Sequence, residues 1–330
     1  MKEIFKLWAI MVVALCAGVA MTSCSDDDDD DSDGGSGKSK KTLAIQDLNG
    51  DLQLLTKAGD YRFYYDEDGS LEEVTTSYFD WELDKNFNFS DDCSSMKCTR
   101  NGSGYITKIV YEEEEDGDYS KQTINFSYNS NGTLSKISYT FEYKETYSDY
   151  YDENEALTIK GSGTMTLTCT WEAGNLVKVV GNGKSTASGD AYVTGENGTI
   201  YEEINFRYGQ QENELAQNVM AIIEPIGGDI LTPLHMLGLL GKGTANFPKG
   251  YTYLAQWSDE DVDETDSETM SYSVSSNGTV RSETIGGRNY TYSYNTLETR
   301  AVSPLSEPVF TAKKAQRRSR GMLDMRRHRR

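Results

Sequence analysis

Residues 127–139 read SYNSNGTLSKISY. An Asn-Gly pair sits between a segment ending in Tyr128 and one that carries Leu134, Ile137 and Tyr139. Tight hairpin turns need positive φ at their centre, so Asn-Gly or Asp-Gly between β-rich runs is the strongest local hairpin signal. A glycine turn between β-rich runs returns in YYDEDGSLEEV (64–74), NGSGYITKIVY (101–111), TWEAGNLVKVV (170–180), TGENGTIYEEINF (194–206) and SVSSNGTVRSETI (273–285), with Asp or Asn before the glycine in four of the six. Its glycines are Gly69, Gly104, Gly132, Gly174, Gly198 and Gly278. Their spacing is irregular, whereas a solenoid keeps a fixed period. The expected fold is therefore all-β: an antiparallel meander of about a dozen strands, forming a strongly curved sheet or half-barrel to protect its edges. Variable loops are expected at the ends opposite the glycine turns, with EEEEDGDYSK (112–121) and KETYSDYYDENEA (144–156) as two of them.

The strands between those turns alternate with period two. KQTINFSYNS (121–130) and GTMTLTCTWE (163–172) each set an apolar or aromatic face against one rich in Thr, Ser, Asn and Lys. The 22 tyrosines against 10 phenylalanines suit half-buried pleated surfaces. A lipid-facing barrel needs a continuous apolar outer band, and charges on both faces argue against one. A single stretch departs from the β pattern. Residues 213–248 place Leu215, Val219, Ile222 and Ile223, then Leu234, Leu237 and Leu240, at helical spacing, with Pro225 and Gly227-Gly228 between the two groups. Two short helices are expected there, near 213–241, with Gly241 capping the second and the pair plugging the sheet. His235 lies in this insertion and reads as structural, since no neighbouring ligand or acid accompanies it.

The N-terminus reads as an address. Lys2 and Lys6 precede an uncharged apolar run from Leu7 to Met21, shorter than the roughly 20 residues that span a bilayer. Residues 1–23 fit a secretory signal. Cys24 follows directly, then Ser25 and Asp26, Asp27, Asp28, Asp29, Asp30 and Asp31. A like-charged run stays solvated, and with the Gly/Ser/Lys residues behind it makes 24–41 a flexible tether. The β domain is expected over 42–300. The tail 301–330 has no periodicity, and its last 18 residues carry nine Lys/Arg against one Asp. It reads as a disordered basic segment.

The formal net charge is −21 despite that tail, so the body repels nucleic acid. Cys93 and Cys98 in CSSMKC are candidates for a short disulfide in an oxidising compartment. Zinc is the rival, and it is short of ligands with only His235 and His328 in the chain. The DEDG at 66–69 lacks both terminal ligands of an EF-hand and reads as a turn. The acidic stretch at 258–268 reads as a solvated hairpin loop. No G-x-S-x-G elbow occurs, and no metal site, cofactor or catalytic residue is singled out. Trp81 and Trp257 are candidate ligand-binding aromatics, while Trp171 reads as core.

Cys24 with Met21 three residues upstream resembles a lipobox of the looser Bacteroidetes type, and Ser25 with Asp26, Asp27, Asp28 and Asp29 resembles a surface-export signal. That resemblance implies acylation at Cys24 and display on the outer membrane. Together with the Y-x-x-x-G-x-L-x-x-I hairpins, LGLLGKGTANFP (237–248) and NYTYSYNT (289–296), the chain resembles a Bacteroidetes lipoprotein family of unknown function with a porin-like β fold. The resemblance brings no activity, substrate or catalytic residue. The expected function is that of a non-enzymatic surface scaffold, held to the membrane by its lipid, that binds a glycan or protein. The alternatives are a carboxylate-dependent hydrolase of a surface polymer and a purely structural envelope protein.

Overall fold

The structure is a computed structural model, and its described residues are 43–297 except 68, 78, 85, 92, 116, 149–155, 190–197, 228–229 and 259–262. The signal, Cys24, the export residues Ser25 to Asp29, the tether and the basic tail lie outside them.

The strands are β1 (Ile45–Gln46), β2 (Leu52–Ala58), β3 (Tyr61–Tyr65), β4 (Leu71–Thr75), β5 (Asp80–Glu82), β6 (Phe89–Ser90), β7 (Ser94–Arg100), β8 (Ile106–Glu115) and β9 (Asp118–Tyr128). Then come β10 (Leu134–Ser148), β11 (Ala156–Glu172), β12 (Asn175–Gly189) and β13 (Gly198–Glu212). Two short helices follow, α1 (Met220–Ile223) and α2 (Leu231–Met236), then β14 (Asn246–Trp257), β15 (Glu264–Val274), β16 (Val280–Ile285) and β17 (Arg288–Thr296). All seventeen strands belong to one sheet. The antiparallel ladders run from β6 through β17, pass to β2 by the pairing Tyr294↔Leu55, and continue to β5. The expected curved sheet is thus a nearly closed barrel. Its seam lies between β5 and β6, for which no residue register is defined among the described residues.

The glycine turns behave as read at Gly69, Gly104, Gly132, Gly174 and Gly278, all with φ between 79° and 88°. Strand alternation places these five at one end of the barrel, the turn end. Gly198 departs from the expectation: it opens β13 and pairs with Ser185. Residues 112–121 are not a loop either. β8 runs to Glu115, β9 starts at Asp118, and Gly117 turns between them with φ 85°. Likewise β10 reaches Ser148, β11 starts at Ala156, and the acidic stretch enters β15 at Glu264. Acidic residues at the free ends of long hairpins remain solvated within strands, so their polarity alone does not mark a loop.

Registers explain the core. Ile109, Ile124, Tyr139 and Met165 form one cross-strand row, with Phe126, Ile137 and Leu167 in the next. These side chains point inward, and all except the part-buried Met165 are buried. The outward neighbours are Thr, Ser, Lys, Glu and Asn. Large apolar side chains exposed among the described residues are Leu48, Tyr64 and Tyr119. The apolar face is therefore inside, the reverse of a membrane-spanning barrel. No helix among the described residues is long and apolar enough to cross a membrane.

The insertion fills the turn end. Every residue of α1 and α2 is buried. Backbone hydrogen bonds lace it to the glycine turns: Lys242 N donates to Gly132 O, Ala245 N to Gly174 O, and Ile106 N to Leu239 O. The glycine that ends α2 is Gly238 rather than Gly241. Gly238 has φ 74°, its N–H bonds His235 O, and Leu239 N–H bonds Leu234 O, which is the Schellman arrangement. Gly241 instead makes a turn packed against the Gly132 carbonyl.

Two inward glycines on β11 have a packing reason. A Cβ on Gly161 would overlap the Tyr143 ring, and one on Gly163 the Phe141 ring. The aromatic rings lie across their glycine partners in register. Gly161→Ala is expected to destabilise the fold by about 1–3 kcal/mol through overpacking, read as a lowered urea midpoint. An unchanged midpoint would mean the Tyr143 ring swings away freely.

The expected Cys93–Cys98 disulfide is not formed in the structure. Cys93 immediately precedes β7 and its carbonyl accepts from Glu114 N–H at 2.8 Å, while Cys98 pairs with Ile109. Five residues of extended chain cover roughly 16 Å, and a disulfide needs Cα atoms within about 7 Å. Burial pushes the Cys98 thiol up to about 12.

Candidate functional site

Trp81 is not a ligand platform. It is 4% exposed and lies in the seam, stacked on Phe79 at 4.0 Å and on Phe89 at 5.2 Å between ring centroids. Phe79, Trp81 and Phe89 carry the core across the gap from β5 to β6, and Tyr111 extends the run at 6.3 Å from Phe89. Trp257 pairs with Ile200 on the inward row and is part-buried, with its indole N–H unpartnered among the described residues. Trp171 anchors the wall by donating to Leu134 O at 2.7 Å. His235 is buried and pushed down to about 4 by desolvation, so it is neutral at pH 7. It borders a small cavity of about 20 Å³ with Asn218 and Val219, which suits a packed interior rather than a reacting centre.

Inward carboxylates gather near the loop end. Burial raises Glu113, which accepts from the Tyr111 hydroxyl at 3.3 Å, and Glu115 and Asp91 raise it further. Burial also raises Glu145, with Asp118 and Glu113 as smaller causes. Burial raises Glu202, partly offset by the Tyr253 hydroxyl at 3.1 Å. Among the described residues, no group of three or more His, Cys, Asp or Glu side chains could hold a metal ion.

Two grooves open on the outer wall. Over β9 to β12 the outward rows are Thr123–Thr140–Thr164–Lys184 and Lys121–Glu142–Ser162–Thr186, each in strict cross-strand register. They line a groove of about 490 Å³. Ser162 and Thr186 hydroxyls lie 3.3 Å apart, and Lys121 is ion-paired with Glu112 from β8. A second groove of about 520 Å³ crosses β13 to β15. There Glu203 is already held by Lys178 at 2.8 Å, the Tyr201 hydroxyl at 2.6 Å and Asn205 at 2.9 Å, which bring its carboxyl down to about 2. Its acceptor capacity is thus spent within the protein. The first groove keeps its threonine hydroxyls outward. The signal for it was the TMTLTCT alternation, whose polar half is a row of threonines, but sequence reasoning passed over it in favour of tryptophans.

No family model matches the chain, and no curated protein matches it. Among solved structures it is similar to a porin-like protein from Bacteroides uniformis ATCC 8492, with 11% identity, 77% of this chain and 94% of that chain covered, and a TM-score of 0.28. At that score the likeness adds nothing to the fold read from the strand registers.

Proposed function

We propose that this chain is a lipoprotein, acylated at Cys24 and exported to the cell surface on Ser25 and Asp26 to Asp29, whose plugged barrel is a non-enzymatic scaffold for an extracellular glycan or protein. The observation that carries this reading is the division of the barrel wall. Its inner face is taken up by the core and the buried helices, so recognition falls to the polar outer wall and the loop end. A lipid at Cys24 would hold to the membrane a domain that lacks an apolar outer band of its own.

The test is a screen of the full-length protein against polysaccharides and surface extracts, with product analysis of the same mixtures, alongside acyl labelling of wild type and Cys24→Ala. The expected result is saturable binding without turnover, and loss of label and membrane association in Cys24→Ala. Retained anchoring in that variant would sink the lipoprotein reading. A second reading, a carboxylate-dependent hydrolase, is favoured by Glu145, raised mainly by burial and further by Asp118 and Glu113, since a raised carboxyl beside a second one is the equipment of a general acid. Turnover abolished by Glu113→Gln would replace the first reading with this one.

A further inference from the structure

We infer that the groove on β9 to β12 is a binding site for a neutral oligosaccharide, an inference that rests on the surface-scaffold reading and names its ligand class and its place. The groove holds about 490 Å³, within the ~300–1,000 Å³ of small-ligand sites. Such sites are usually lined by apolar and aromatic side chains. This one is lined mostly by Thr and Ser side chains, two lysines and Glu142, with Phe141 and Gly163 among them, so a wholly apolar guest would leave most of the polar groups unpaired.

Charge narrows the class further. Lys121 and Lys184 bring two positive charges. Glu142 stands beside Lys121 in register, and Glu112 is ion-paired with Lys121. The two pairs of charges balance. A phosphate or polyanion finds no net attraction in the groove and meets a protein of net charge −21. A cation finds the same balance of charge and no net attraction in the groove. What remains is a neutral guest dense in hydroxyls. The lining offers both hydrogen-bond polarities to such a guest: ammonium donors, a carboxylate acceptor and hydroxyls that do either. Threonine methyls and lysine stems lie between them, giving the C–H faces of a sugar ring an apolar floor. Strand pairing holds neighbouring residues of one row about 4.8 Å apart, so the hydroxyls are held by the wall and lose little freedom on binding.

The experiment uses the full-length protein in detergent. Neutral oligosaccharides cut from dextran, mannan and xylan are titrated in parallel with heparin and polygalacturonate as acidic probes and a chitosan oligomer as a cationic one. Binding is compared for wild type, Thr140→Val/Thr164→Val and Glu142→Gln, with unfolding midpoints as the control. Valine keeps the volume of threonine and removes its hydroxyl. The expected result is saturable binding of at least one neutral oligosaccharide, weakened about tenfold or more by the double variant, as the loss of one or two hydrogen bonds implies, with midpoints unchanged. Preference for an acidic or cationic probe overturns the inference, and so does neutral-sugar binding that neither variant alters. Both outcomes leave the scaffold reading standing. A captured protein partner with no saccharide binding also overturns the inference alone. Absence of any saccharide or protein ligand removes both.

Discussion

Glu283→Ala is expected to cost about 4 kcal/mol of folding stability, the largest loss from one surface-remote polar group in this barrel. Glu283 is 0% exposed. Its carboxylate accepts from Met220 N–H at 2.8 Å, from Ala221 N–H at 3.3 Å, and from the Tyr292 hydroxyl. The first two are orphan donors at the start of α1, which has no side-chain cap of its own. A strand residue on the barrel wall thus caps a helix on the plug. Alanine strands Ala221 N–H and the Tyr292 hydroxyl in the interior at roughly 1–3 kcal/mol each, leaves Met220 N–H only the Tyr292 oxygen at 3.2 Å, and opens a cavity beside them. Glutamine keeps the volume and one acceptor oxygen, and about half the loss is expected. Urea unfolding monitored by tryptophan fluorescence gives both numbers. A loss below about 1 kcal/mol for alanine would mean that the plug repacks without its pin.

The same group gives the fold a pH dependence with a definite sign. Desolvation lifts the Glu283 carboxyl from 4.5 to about 7, against the opposing pull of its three donors. Between those two values the folded chain binds the proton and the unfolded chain does not. The contribution is fully present below about pH 4.5 and is lost as pH rises through 7, with a ceiling of roughly 3 kcal/mol at 1.4 kcal/mol per unit. Glu113, Glu145 and Glu202 are raised mainly by burial and act in the same direction. Subtracting the Glu283→Gln profile from that of wild type isolates this one group. A difference that is flat between pH 5 and 7.5 would show the carboxyl titrating at an ordinary value.

Local signals carried most of what could be read beforehand, and non-local pairings carried the rest. Asn131-Gly132 and Asn277-Gly278 announce their hairpins because the turn chemistry is contained in four residues. The apolar spacing at 219–223 announces a helix for a similar reason. Closure is different: LQLLTKA and NYTYSYNT both alternate, yet nothing in either says that Tyr294 will meet Leu55. Glu283 is legible as a charge two residues from Ile285 on an apolar row, but its partners at Met220 and Ala221 are sixty residues away. Cys93 and Cys98 look close along the chain and are held apart by the strand between them. The groove was half visible, since the threonine alternation of β11 predicts an outward polar row, while the lysines and Glu142 arrive from three other strands.

Trp81→Ala is expected to destabilise the protein by about 3–5 kcal/mol, the usual range for emptying a buried aromatic site, and to do so locally. Trp81 is a candidate ligand-binding aromatic by its sequence alone, yet Phe79, Trp81 and Leu83 stand two apart, which is the spacing of one strand face. The seam explains why so large a ring is used there. Elsewhere the wall is held by long backbone ladders, but β5 has 3 residues and β6 has 2, and no register between them is defined among the described residues. Stacking of Trp81 on both Phe79 and Phe89 substitutes side-chain contact for the missing ladder. Removing the indole leaves Phe89 paired only with Met96 in register and tilted against Tyr111. Hydrogen exchange should therefore accelerate first at β5 to β7, ahead of β10 to β13, whose long ladders are untouched. Trp81→Phe retains one ring and should lose about half as much. Uniform acceleration around the barrel would show that the seam is no weaker than the rest of the wall, and an unchanged stability would return Trp81 to the list of surface aromatics. Seam opening in Trp81→Ala ahead of global unfolding would place the least stable part of the barrel at the β5–β6 junction, where stacked rings join two of its shortest strands.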